Sequence, residues 1–230
     1  MDITRFFQIY IVLILFGAFY LYIGYRIIKR GRSRMNFFIG GFYFCSAIGT
    51  IMNIIYASIF SSPLVYFLYS LTVLVLSYAL LFVLLFLLLL YKSNMIIGEK
   101  YVITILILFG MLHLGLWLIP YHFKINAGTD WKPIWSPLGY VYIFLLLMCY
   151  IISPSAYISF KLYKQFENKR LKKRWKIFMI GMYCAFILYL GGLFSSMIHI
   201  QPFRDGWSVI SFVLVILSGF FMYYGIARDE

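Results

Sequence analysis

Leu80-Leu81-Phe82-Val83-Leu84-Leu85-Phe86-Leu87-Leu88-Leu89-Leu90 is an apolar run unbroken by glycine, proline or any polar residue. It lies within a longer stretch, Leu64–Tyr91, that would measure about 40 Å as an α-helix. A bilayer hydrocarbon core is about 30 Å thick and takes about 20 helical residues. A run of this length has no polar face to show water, so it reads as a transmembrane helix. Six further stretches share its character: Phe6–Ile28, Phe37–Phe60, Tyr101–Pro120, Leu138–Tyr163, Trp175–Ile198 and Ser208–Ile226. Strands of a closed barrel would alternate over about ten residues, and these continuous runs do not.

The expected fold is an all-α, seven-transmembrane-helix bundle forming a single transmembrane domain over residues 1–230. Composition agrees. The chain is 64% hydrophobic and 12% charged, where soluble domains carry about 25% charged residues. Cys45, Cys149 and Cys184 all fall inside spans and read as small buried hydrophobes. The first span is too long for a signal-peptide core and lacks a basic leader, so a retained helix is expected.

Positive charge sets the orientation. One set of gaps holds Arg26, Lys29, Arg30, Arg32 and Arg34, then Lys92 and Lys100. It continues with Lys161, Lys164, Lys169, Arg170, Lys172, Lys173, Arg174 and Lys176, then Arg228. Those are sixteen of the twenty Lys and Arg residues; only Arg5, Lys124, Lys132 and Arg204 fall on the other side. Short basic loops stay in the cytoplasm, which places the N-terminus outside and the C-terminus inside. The net charge of +13 is thereby explained without nucleic acid. Trp117, Trp131, Trp135 and Trp207 gather at the outer edge, the depth that suits an amphipathic ring. The outer segment Tyr121–Pro137 carries turn residues and is expected to be a loop.

Ionisable groups at bilayer depth mark ion paths and cofactor counter-ions. No Asp, Glu or Lys stands mid-span here, which argues against coupled transporters. Val209–Tyr224 offers no lysine for a retinal Schiff base, and no paired histidines could hold haem, so no cofactor is expected. Nor is a metal site. His113 shares a helix face with Gly110 and Trp117 and is expected to hydrogen-bond across helices.

Polar stripes run along helix 2 (Ser46, Thr50, Asn53, with Tyr56), helix 3 (Tyr66, Tyr69, Ser70, Ser77) and helix 6 (Gly192, Ser195, Ser196, His199). Close helix packing accounts for such stripes. The sharper reading is an outward-facing pocket formed by Asn53, Tyr56, Tyr66, Tyr69, His113, Trp117, Ser195 and His199, since ligand sites set convergent polar groups among apolar walls. Pro154 is expected to kink helix 5.

The densest charge lies over Lys164–Lys176, read as a loop. Lys164, Lys169, Arg170, Lys172, Lys173 and Arg174 are candidates for contact with anionic inner-leaflet lipid or a cytoplasmic signalling protein. No GxSxG, HExxH or paired-carboxylate pattern is present, so no catalytic residues are assigned. A hydrolase built on Ser195 or Ser196 with His199 lacks an oxyanion loop, and no enzyme is expected.

An internal echo joins Tyr22-Ile23-Gly24-Tyr25-Arg26 to Tyr157-Ile158-Ser159-Phe160-Lys161, and Phe37-Phe38-Ile39-Gly40 to Phe178-Met179-Ile180-Gly181. Helices 1 and 5 share a direction, so a parallel 3+1+3 repeat is permitted.

The final aromatic-to-basic stretch, Met222-Tyr223-Tyr224-Gly225-Ile226-Ala227-Arg228, resembles the exit from the seven-transmembrane sensor regions that precede prokaryotic histidine kinases. That resemblance implies a receptor-like sensor in a prokaryotic plasma membrane. These 230 residues hold no kinase, so signalling would pass to a separate cytoplasmic partner. The alternatives are a small-solute facilitator of 3+1+3 type and a structural, lipid-organising subunit.

Overall fold

The computed structural model describes residues 7–31, 33–92, 98–198 and 200–227. Within them are seven helices long and apolar enough to cross a membrane. A π-helical stretch, Phe7–Val12, leads into α1 (Leu13–Lys29); α2 is Arg34–Ala57 and α3 is Ser62–Lys92. Next come α4 (Glu99–Leu114), which tightens into a 3-10 turn over Gly115–Leu118, and a small hairpin of β1 (Phe123–Lys124) and β2 (Ile134–Trp135). The chain closes with α5 (Pro137–Gln165), α6 (Lys169–Met197) and α7 (Gln201–Ala227).

Three helix starts follow from local chemistry, since a polar side chain at the cap satisfies backbone N–H groups that have no partner within the helix. Ser33 accepts from Asn36 N at α2, and Ser136 from Gly139 N at α5, where Pro137 pre-sets the first turn. Asn168 accepts from Arg170 N (2.8 Å) and Leu171 N (3.4 Å) at α6. That cap shortens the expected basic loop. Lys164 belongs to α5 and Lys169–Lys176 to α6, so the bases ride on helix ends and only residues 166–168 connect them. In α5, a π turn over Met148–Ile152 precedes Pro154. Proline lacks the N–H and crowds the carbonyl four residues back, and the wider turn absorbs that mismatch.

The most extensive pairings are α6 with α7, α2 with α3, and α1 with α2; α1 also meets α7. The Leu80–Leu90 segment is almost entirely buried, which makes α3 the central helix. By contrast α4 is peripheral: Ile103, Ile107, Leu108, Met111 and Leu114 all point outward. Exposed large apolar side chains occur on every span, from Leu15 and Phe37 to Ile187 and Val209. A belt of that extent suits hydrocarbon and not water.

Close approach between α6 and α7 depends on glycine. A Cβ on Gly181 would lie 2.7 Å from Met222 N, and one on Gly225 would lie 2.8 Å from Phe178 N. Small residues of this kind let membrane helices meet at backbone distance.

The basic segments gather at one end of the bundle. There Arg30 Nη2 donates to Tyr223 Oη (2.9 Å) and Arg174 Nη2 donates to the Ile226 carbonyl (3.1 Å). At the opposite end the hairpin region meets the start of α7, with Lys132 Nζ donating to Gln201 Oε1 (3.3 Å).

Candidate functional site

A cavity of about 600 Å³ opens at the end opposite the basic segments and runs into the bundle between α1, α2, α3, α6 and α7. Four of the eight residues expected in a pocket line it: Asn53 and Tyr56 from α2, Tyr69 from α3 and Ser195 from α6. His199 lies outside the described residues. Tyr66 and Trp117 are placed elsewhere, in an aromatic cluster where α3, α4 and the hairpin meet, and His113 lies on α4 against Phe109.

In that cluster Tyr66 stacks on Phe123 (ring centroids 4.4 Å apart) and meets Trp117 edge-on. His122 is buried and bonds at both ring nitrogens. Its Nδ1–H donates to the Ile119 carbonyl (2.9 Å), and Nε2 accepts from the Tyr66 hydroxyl (3.0 Å). Burial lowers the His122 pKa below its ordinary value, and the Ile119 hydrogen bond partly opposes that shift. His113 packs against Phe109, and its buried Nδ1 has no hydrogen-bond partner among the described residues. Among them, no interhelical hydrogen bond of the kind expected of His113 is formed at this nitrogen.

The cavity grades from charged to apolar along its depth. Its rim carries Asp130, Lys132, Gln201, Arg204 and Asp205. Midway lie Thr50 and Ser195, whose hydroxyls already bond to carbonyls one turn back (2.8 Å to Ser46 and 2.9 Å to Gly192). Such back-bonding satisfies the hydroxyl proton within its own helix. Deeper walls come from Phe16, Phe42, Leu76, Leu80 and Val215. Beneath them Tyr20 Oη reaches Ser218 Oγ (3.0 Å) and Tyr43 Oη donates to the Gly219 carbonyl (2.7 Å). These bonds tie α1, α2 and α7 together and close the floor. From there to the basic end the core is packed by side chains such as Tyr43, Leu81, Leu85 and Phe178, all fully buried.

The residue that sequence reading missed is Arg204. The helix α7 begins at Gln201, seven residues before the expected Ser208, so a position taken for a loop is one turn into a helix. Pro202, Asp205 and Gly206 disguised that start, although proline is tolerated in a first turn. Arg204 Nε donates to the carbonyls of Ser195 and Ile198 (both 3.1 Å), and Nη2 to those of Ser196 and Pro133 (both 3.3 Å). The cation thus caps the C-terminal end of α6, where carbonyls without helical partners favour positive charge. It also bonds the hairpin loop. Its second terminal nitrogen, Nη1, has no hydrogen-bond partner among the described residues, and the same holds for the Asn53 amide. Both side chains line the cavity.

Two adjacent glycines of α6 show which face is open. Gly191 lies against the Trp207 ring, whereas a Cβ on Gly192 would meet nothing within 4 Å. Gly192 itself lines the cavity. Comparison with known protein families, curated proteins and solved structures returns no match for this chain.

Proposed function

We propose that this protein is a receptor-like, seven-helix sensor of a prokaryotic plasma membrane, with its N-terminus outside and its C-terminus in the cytoplasm. It binds a small or lipidic ligand from the outer side and signals through a separate cytoplasmic protein. The orientation rests on the sixteen bases that fall in one set of gaps between the spans in the sequence, by the positive-inside rule. The observation that carries the ligand reading is the cavity at the other end, which gathers Asn53, Tyr56, Tyr69 and Ser195 under a charged rim.

Helix α7 supplies the link between the two ends. Its outer part forms cavity wall through Arg204, Ser208 and Ser211, and its inner part is gripped by Arg30 and Arg174. The tight contact at Gly181 and Gly225 serves as a pivot. A ligand that changes the outer spacing of α6 and α7 therefore moves the basic surface of Lys169, Arg170, Lys172, Lys173 and Arg174. That surface also meets anionic lipid.

A solute facilitator is the second reading, and the absence of mid-span carboxylates favours it. The closed floor beneath the cavity favours the receptor. The proposed 3+1+3 repeat would make Gly40 and Gly181 equivalent, yet Gly40 approaches Ile28 of α1 while Gly181 approaches Met222 of α7.

The test is to purify wild type and Gly192→Phe from the same membranes, extract each with organic solvent and identify the extracted molecules by mass spectrometry. The reading expects a species enriched over bulk lipid with the wild type and lost when the Phe ring fills the cavity. Identical extracts contradict it.

A further inference from the structure

Resting on the cavity reading above, we infer that the ligand is a single-chain amphiphile with an anionic head, a carboxylate or phosphate, bound head-outward at Arg204 with its chain running down toward Phe16, Phe42 and Val215. Size gives the first argument. A volume of about 600 Å³ lies within the usual range for a site holding one small molecule, about 300–1,000 Å³. That suits a ligand with a single acyl chain. The gradient of the walls gives the second. Charge is confined to the rim, and the deeper walls are mainly apolar, with the Tyr20 and Tyr189 hydroxyls already bonded to Ser218 and Ser77, so a uniformly polar solute would find few partners at its buried end.

The third argument is the state of Arg204. Four backbone carbonyls hold Nε and Nη2, which fixes the guanidinium in place before any ligand arrives. The remaining Nη1 donors belong to a side chain that lines the cavity. A guanidinium pre-set in this way loses little entropy on binding an oxyanion. The Asn53 amide adds a second unengaged donor from α2. The rim carries two carboxylates beside its two cations, so the preference rests on the fixed placement of Arg204 and not on net rim charge. Asp205 Oδ1 accepts from Gln201 Nε2 (2.8 Å), and Asp130 is paired with Lys132 (3.8 Å) with its side chain 85% exposed. A cationic head would instead meet the fixed Arg204 charge.

The experiment measures binding of radiolabelled hexadecanoate to the full chain in nanodiscs, with empty nanodiscs as background. Unlabelled hexadecanoate, hexadecyl phosphate, 1-hexadecanol and hexadecylamine compete. The expected result is that one anionic competitor binds about tenfold or more tighter than the alcohol, the worth of a charge-assisted hydrogen bond. The amine is weakest, and the order of carboxylate and phosphate identifies the head. Gly192→Phe abolishes the saturable signal. Arg204→Lys keeps part of the anion preference, and Arg204→Gln loses it if that variant folds.

Because the wild-type competition series needs no variant, misfolding of Arg204→Gln leaves the result intact. Equal binding of alcohol and acid, both lost in Gly192→Phe, overturns the head-group assignment and leaves the cavity reading standing. No saturable binding of any competitor overturns the amphiphile assignment, and the extraction experiment then judges the cavity reading separately.

Discussion

Gly191 and Gly192 stand side by side on α6 with opposite surroundings, and their substitutions should diverge. Gly191→Ala drives a methyl into the Trp207 ring and is expected to cost about 1–3 kcal/mol through overpacking, read as a lower thermal midpoint in detergent. Gly192→Ala, which meets open space, should leave the midpoint within a degree or two or raise it, since alanine is the better helix former. His122 makes a separate prediction. Its pKa is depressed in the folded protein, so its contribution to stability is fully present above the unfolded value of about 6.5. That contribution is lost as pH falls toward the depressed value, because the unfolded state takes up the proton first. The thermal midpoint should fall between pH 7 and pH 5, with a shallower slope in His122→Gln. An unchanged slope in that variant would remove His122 from the account.

Among the elements, the spans themselves were legible and their ends were not. The Leu80–Leu90 run announced α3 because nothing but hydrocarbon or a bundle centre tolerates it. Ser46, Thr50 and Asn53 were legible as one stripe because helical spacing puts them on one face, and that face does line the cavity. Arg204 was hidden because Gln201-Pro202-Phe203-Arg204-Asp205-Gly206-Trp207 has the composition of a loop; tertiary contacts with α6 and the hairpin override its weak helix propensity. Tyr66, His113 and Trp117 shared the right depth, but depth along a helix says nothing about the direction a side chain takes around the bundle. At the crossing of α6 and α7, Gly181→Leu and Gly225→Leu place side chains against backbone. Each is expected to lower the thermal midpoint by several degrees, whereas Gly98→Ala, with nothing nearby, should not.

For the whole molecule, the cavity opens at the end opposite the basic segments. In the proposed orientation the bases lie on the cytoplasmic side, and an external ligand would enter at the open, base-poor end. Topology is directly testable in a background with Cys45, Cys149 and Cys184 replaced by alanine. Asn168→Cys should resist a membrane-impermeant thiol reagent in intact cells and react in inverted vesicles. The reverse pattern would invert the orientation.

The most direct test of an outward-opening cavity puts the reporter on its wall. In the same cysteine-free background, Asn53→Cys is exposed to the impermeant reagent in intact cells, with and without Gly192→Phe. The account predicts labelling from outside that the Phe ring sharply slows. A cysteine at position 53 that is unreactive from outside, or that labels equally fast with Phe at 192, would contradict it.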